Sequence, residues 1–177
     1  MGATQTVSLV FTDLVGSTAH ATRLGPEDAD ALRREHFGIL RDAIVHCGGE
    51  EVKNLGDGVM ASFDRVAAAV TCAIGMQQRI EYRNRQASPP LDVKIGVAVG
   101  DAVGEAGDWF GAPVVEAARL CELAKNKPGK LLASAQVLEG ASESEAAHWS
   151  LGRHVKLRGH DQRIQTASPV EPAKPRK

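Results

Sequence analysis

A Gly-Asp-Gly triplet at residues 56–58 separates two short β-prone runs, 50–55 and 59–63, and each run adjoins a long stretch with helical periodicity. Two short runs around a glycine-rich turn read as a hairpin. Ahead of it, Leu32, His36, Phe37, Leu40 and Ile44 recur at helical spacing over 27–47, and Gly48-Gly49 ends the run. Behind it, Val66, Val70, Ala73, Ile74, Gln77 and Ile80 mark one side of a second helix over 66–83, stopped by Ser88-Pro89-Pro90. A β-branched apolar run at 6–12 precedes the first helix and predicts a buried strand. Alternation of Leu91, Val93, Ile95, Val97 and Val99 predicts a strand with one buried face after the second. Gly16-Ser17 opens a short helical stretch that breaks at Gly25-Pro26. The order β-α-β-β-α-β fits an α+β sheet covered by helices on one face.

Residues 100–107 read as turn-rich and 113–124 as a third helix, with Pro113 in its first turn. Short strands are expected at 130–133, 147–151, 154–157 and 162–166. Residues 1–167 then make one domain. Residues 168–177, with three prolines and no apolar periodicity, are expected to be a disordered tail.

With 177 residues, 43% of them hydrophobic, the chain is long enough for a single globular core. Its 21 basic and 22 acidic side chains leave a net charge of -1, which provides no basic excess to hold nucleic acid or an anionic membrane. The longest uncharged stretch, 66–78, is too short to span a bilayer. No basic segment precedes the first apolar run, so no signal peptide is expected. Cys47, Cys72 and Cys121 are odd in number and show no Cys-x-x-Cys pair, which predicts free thiols in a reducing, cytoplasmic setting. The six histidines show no metal-ligand spacing, and no Walker-type loop is present.

Two carboxylates stand where chemistry is possible. Asp13 ends the first strand within Phe-Thr-Asp-Leu-Val-Gly-Ser-Thr, and Asp57 sits at the hairpin tip within Lys-Asn-Leu-Gly-Asp-Gly. A carboxylate held at a strand end beside glycine suits a hard cation, and Gly16 before a helix start leaves backbone N–H groups for phosphate oxygens. Taken singly, Asp13 reads equally as a capping residue and Asp57 as an ordinary turn residue.

Together the segments 11–18 and 53–63 resemble the catalytic domain of class III nucleotidyl cyclases, in particular the compact bacterial, mycobacterial-type adenylate cyclases. The resemblance covers about residues 6–166. It implies a class III nucleotidyl cyclase fold, with a ferredoxin-like βαββαβ core and appended strands, that works as a homodimer with active sites at the interface. It implies that Asp13 and Asp57 hold two Mg²⁺ or Mn²⁺ ions and that the backbone of Leu14, Gly16, Ser17 and Thr18 forms the triphosphate turn. Lys53 and Asp108 match the family's base-reading pair. Lysine as donor and aspartate as acceptor suit the N1 and N6 edge of adenine, whereas guanine reverses that edge. Arg119, eleven residues after Asp108, matches the transition-state arginine. Lys156 matches the lysine on the terminal phosphates, with Arg158 as a candidate helper.

The implied activity is that of an adenylate cyclase, a phosphorus–oxygen lyase converting ATP to 3′,5′-cyclic AMP and diphosphate. Two departures stand out. The family's asparagine one helical turn before the arginine is Val115 here, and the segment 100–108 is shorter than in mammalian-type cyclases. The alternatives are a guanylate cyclase, against which Lys53 and Asp108 speak, and a nucleotide-binding regulatory module without turnover, which Val115 suggests. A diguanylate cyclase is disfavoured by the lack of a Gly-Gly-Asp/Glu-Glu-Phe segment.

Overall fold

The computed structural model describes residues 2–170. One eight-stranded sheet forms the centre, in the order β2-β3-β1-β4-β6-β8-β7, with β5 on the far end of β4. Its strands are β1 (Thr4–Leu14), β2 (Glu50–Asn54), β3 (Val59–Phe63), β4 (Val93–Glu105), β5 (Asp108–Phe110), β6 (Leu131–Ser134), β7 (Trp149–Lys156) and β8 (Arg163–Pro169). Helices α1 (Ser17–Leu24) and α2 (Pro26–His46) connect β1 to β2. Helix α3 (Val66–Gln86) connects β3 to β4, and α4 (Ala112–Leu123) connects β5 to β6. Two short helices, α5 (Ala135–Glu139) and α6 (Glu143–Ala146), lie between β6 and β7 and were not anticipated from periodicity. Five and four residues are too few to show a helical repeat. The order β2-β3-β1-β4 with α2 and α3 as crossovers is the βαββαβ core. Only β4 and β6 run parallel.

The helices form where capping and composition allow. Gly16 takes a left-handed conformation, φ 76°, to turn β1 into α1. Pro26 starts α2, with Glu27 and Asp28 in the first turn against the positive end of the helix dipole. Helices α2 and α3 bury Leu40, Ile44, Val70 and Ile74 against Val10, Val59, Ile95 and Val97 of the sheet. Each fully buried Leu, Ile or Val side chain contributes roughly 1.5–3 kcal/mol relative to exposure.

Helices cover both faces, not one. The odd positions of β1, Val7, Leu9 and Phe11, turn away from α2 and α3 and pack with Ala117, Leu120 and Cys121 of α4. Strand β4 is therefore buried on both sides: its valines meet the α2–α3 layer, while Gly96 and Ala98 face α4. A Cβ on Gly96 would lie 2.2 Å from the Ala117 carbonyl oxygen, so only glycine lets α4 lie flush on the strand. The alternating valines advertise one face; the small residues between them mark where the other helix docks.

Four boundaries also differ. The turn-rich region 100–107 continues β4 to Glu105, because β1 starts earlier than its apolar run and Thr4 pairs with Val103. The turn is confined to Ala106 and Gly107, both at positive φ, and leads straight into β5. The two strands expected at 147–151 and 154–157 are one strand, β7, with a bulge between Leu151 and His154. The tail expected from 168 begins later: Ser168 and Pro169 pair with Ser150 and Trp149 in β8. The rest of that expected tail, 171–177, lies outside the described residues. All three cysteines are free; Cys72 and Cys121 are buried and Cys47 half-buried.

Candidate active site

Backbone pairing brings the two candidate metal carboxylates to one place. The Leu14 N–H, next to Asp13, donates to the Asp57 carbonyl at 2.8 Å. The Val59 N–H donates to Thr12 Oγ1 at 2.9 Å. A Cβ on Gly58 would lie 1.8 Å from the Thr12 carbonyl oxygen, so glycine at 58 is what lets the hairpin tip close on the end of β1. The loop between β2 and β3 is held from within and without. Leu55 N–H bonds the Gly58 carbonyl, the Asn54 side chain accepts from Gly56 N–H, and Arg33 of α2 donates to the Gly56 carbonyl.

Ser17, placed on the turn for its backbone, also donates its hydroxyl to Asp57 Oδ2 at 2.8 Å. Lys94 of β4, opposite Asp13 in register, sets its Nζ 3.4 Å from Asp13 Oδ2. Sequence reasoning passed over Lys94 and Arg33. Lys94 had a usable signal, since it is the lone cation in an otherwise apolar strand start. A groove of about 400 Å³ opens beside Asp57, lined by Leu14, Ser17, Thr18, His20 and Arg33 among others. A larger groove, about 1000 Å³, runs between α2, α3 and α6 and is lined by none of the candidate residues.

Among the described residues no group of three or more His, Cys, Asp or Glu could hold a metal by itself. The oxygen donors at 13 and 57 nevertheless suit a hard cation that takes one or two protein carboxylates and completes its shell with substrate phosphates and water. His36 is buried directly behind this end of the sheet. Its Nδ1 lies 3.1 Å from the Arg33 carbonyl, and burial pushes its pKa down against the attraction of Asp57 and Asp13. It is a core histidine of α2, as the absence of ligand spacing suggested.

The remaining candidates gather in a second group. Lys53 of β2 and Asp108 of β5, 55 residues apart, meet through Nζ and Oδ2 at 2.8 Å. Lys53 holds the Asp108 carboxyl below the usual carboxylate range, helped by the Trp109 N–H. Arg119 extends from α4, where Nη1 lies 3.0 Å from Glu122 and Nε donates to the Arg158 carbonyl at 3.3 Å. Lys156 is exposed at the end of β7, next to Leu157, which is buried against α4. Val115 is half-buried, and a Cβ on Gly159 would be 3.6 Å from its Cγ1. The position where the family has asparagine thus packs on the turn after β7.

The family described as the adenylate and guanylate cyclase catalytic domain matches residues 1–166. An uncharacterized protein of Mycobacterium tuberculosis is 43% identical over 187 aligned residues, covering 99% of this chain and 35% of that protein. The chain thus spans about a third of the length of the curated relatives it matches. Among solved structures, an adenylate/guanylate cyclase/hydrolase from Silicibacter pomeroyi superposes with a TM-score of 0.78 at 26% identity, covering 96% of this chain and 99% of that one. A bacterial light-regulated adenylyl cyclase shares the fold with a TM-score of 0.83 at 22% identity, over 98% of this chain and 54% of that one. A guanylyl cyclase does so with 0.79 at 24% identity, over 97% and 96%. No helix among the described residues is long and apolar enough to cross a membrane. The chain belongs to the adenylate and guanylate cyclase catalytic domain family and has the class III cyclase fold.

Proposed function

We propose that this domain is an adenylate cyclase, converting ATP to 3′,5′-cyclic AMP and diphosphate in the cytoplasm. The Lys53–Asp108 contact carries the reading. A base that enters between them meets one donor and one acceptor, the complement of adenine N1 and N6, whereas guanine offers a donor at N1 and an acceptor at O6. The pairing also keeps both charged groups ordered before the base arrives, which lowers the cost of binding it.

Asp13 and Asp57 would hold two Mg²⁺ or Mn²⁺ ions, which when bound polarise the phosphates and favour the ionised ribose 3′-hydroxyl. The chain's own residues do the rest. The free N–H groups of the turn Leu14–Thr18 cradle the triphosphate, and Ser17 orients the Asp57 carboxylate. Lys156 neutralises the terminal phosphates. Arg119, always charged, faces the α-phosphoryl group, where negative charge grows as the 3′-oxygen attacks and diphosphate leaves. To do so it must leave Glu122 and the Arg158 carbonyl, its present partners. A homodimer supports this arrangement, with the carboxylates of one protomer facing Lys53, Asp108 and Arg119 of its partner.

The test is cyclic nucleotide formation from ATP and from GTP with Mn²⁺. Robust cyclic AMP and little cyclic GMP is the expected outcome, and the paired change Lys53→Glu with Asp108→Gly should cut ATP turnover at least ~100-fold, through unpaired polar groups against the base. Equal use of GTP, or unchanged ATP turnover in the double variant, overturns the assignment. Nucleotide binding without any product would instead favour the regulatory module that Val115 suggests.

A further inference from the structure

Helix α4 and the turn between β7 and β8 are joined by a contact that has no part in the site as described. Glu116 and His160, 44 residues apart, meet through Oε1 and Nε2 at 2.8 Å. Both side chains are largely buried, 12% and 17% exposed. Burial pushes the Glu116 carboxyl up, and His160 partly offsets this.

The surroundings of the pair give it a consequence. Glu116 precedes Arg119 by three residues, so both lie on neighbouring rows of α4. His160 follows Arg158 by two, and its backbone N–H donates to the Leu157 carbonyl to close the turn. The Arg158 carbonyl accepts from Arg119 Nε. Leu157 is buried with Ala117 and Leu120 of α4. Gly159, at φ +82°, brings the turn against Val115. Three kinds of contact thus bind the turn to one stretch of helix, and only the Glu116–His160 contact is both polar and directional.

The histidine is satisfied in either protonation state. Neutral, its Nε2–H donates to Glu116 while Nδ1 accepts from the Gln162 N–H at 3.3 Å. Protonated, its Nδ1–H donates to the Gln162 carbonyl at 3.1 Å and the Nε2–H bond to Glu116 remains. The fastening therefore holds whichever state the ring is in.

We propose that Glu116 and His160 are a positioning pair for the cyclase reaction: their contact fastens the β7–β8 turn to α4 and so sets Arg119 relative to Lys156 and Arg158 as a single block. The proposal rests on the reading of Arg119 as the group that meets the transition state. The pair touches no reacting atom. It acts by fixing where the guanidinium can reach, and a small displacement of such a group is costly because its charge must meet charge that exists only in the transition state.

The experiment uses the whole chain with ATP and Mn²⁺, and compares Glu116→Met, His160→Phe, the double variant, His160→Gln and Arg119→Ala. Met and Phe keep the volume at these sites and remove the hydrogen bond, and circular dichroism checks that each variant is folded. Each single change should lower kcat at least ~10-fold with KM for ATP changed less than ~3-fold, the pattern of a contribution made in the transition state. The double variant should be no slower than the slower single variant, because both remove one contact. His160→Gln, whose amide can donate to Glu116 and accept from the Gln162 N–H, should recover kcat to within ~3-fold of the unaltered protein. Losses that multiply in the double variant, a Gln variant as slow as the Phe variant, or unchanged kcat in both singles would each overturn the pairing. If Arg119→Ala keeps its turnover, the reading of Arg119 fails and the proposal with it. If Arg119→Ala is inactive while the pair variants are normal, only the pairing fails.

Discussion

At the end of β1 the backbone holds the site: the Leu14 N–H on the Asp57 carbonyl, the Val59 N–H on Thr12, and Gly58 pressed against the Thr12 carbonyl. Around α4 side chains do the holding instead, across 39 to 55 residues of sequence: Lys53 with Asp108, Arg119 with the Arg158 carbonyl, Glu116 with His160. The first arrangement is part of the sheet ladder and can fail only if the strands part. The second depends on pairs that can exchange partners, since Arg119 has Glu122 beside it and Lys53 is 44% exposed. A site that must grip cations tightly and then close over a nucleotide benefits from that division, with rigid carboxylates facing cations that can be repositioned.

The largest expected effect tests the rigid half. Asp57→Ala removes a carboxylate but leaves its carbonyl, and so the bond from Leu14, in place. Turnover should fall by at least about 100-fold while circular dichroism stays as in the unaltered protein. More than about a tenth of the activity remaining in a folded variant would break the comparison, since the rigid end would then not be the metal-holding end.

A smaller effect sharpens the mobile half. Val115 and Arg119 lie one helical turn apart, and valine there can only fill space against the turn at Gly159. Val115→Asn supplies a donor or acceptor toward the same region. It should raise kcat about tenfold with little change in KM, because one well-placed hydrogen bond made in the transition state is worth on the order of 1–3 kcal/mol. A measured fall in kcat would show instead that packing at 115 matters more than polarity.

The smallest effect concerns Asp108. Lys53 lowers its carboxyl pKa in the folded state, so the stabilisation from this pair is present above the ordinary carboxylate value and is lost as pH falls through the lowered one. For a partly exposed pair it amounts to at most about 1 kcal/mol. In Lys53→Met the Asp108 titration, followed by carboxyl NMR, should move up toward the ordinary value. An unmoved midpoint would mean that the pair is not formed in solution and that the second half of the site is looser still.

Local pattern carried much of this molecule. The hairpin around residues 56–58, the two long helices, the buried first strand and the placement of Asp13 beside a phosphate-type turn all follow from spacing, because 3.6- and 2-residue periods and glycine turns act within a few residues. The resemblance to the class III cyclases extended this to Lys53, Asp108, Arg119 and Lys156 one position at a time. The fold's second covered face was not legible, since Gly96 and Ala98 carry no apolar signal and matter only because α4 lies on them. Nor were α5 and α6, too short for a period, or the strand character of 100–105 and 168–169, which comes from partners on β1 and β7 rather than from the residues themselves. Lys94 beside Asp13, Arg33 on the Gly56 carbonyl and His160 on Glu116 likewise exist only once distant elements pack. Sequence by itself determined the elements and the chemistry available on each. Tertiary structure decided which charges meet, because a contact between residues tens of positions apart is set by strand register and helix docking, and neither is written in any local stretch of the chain.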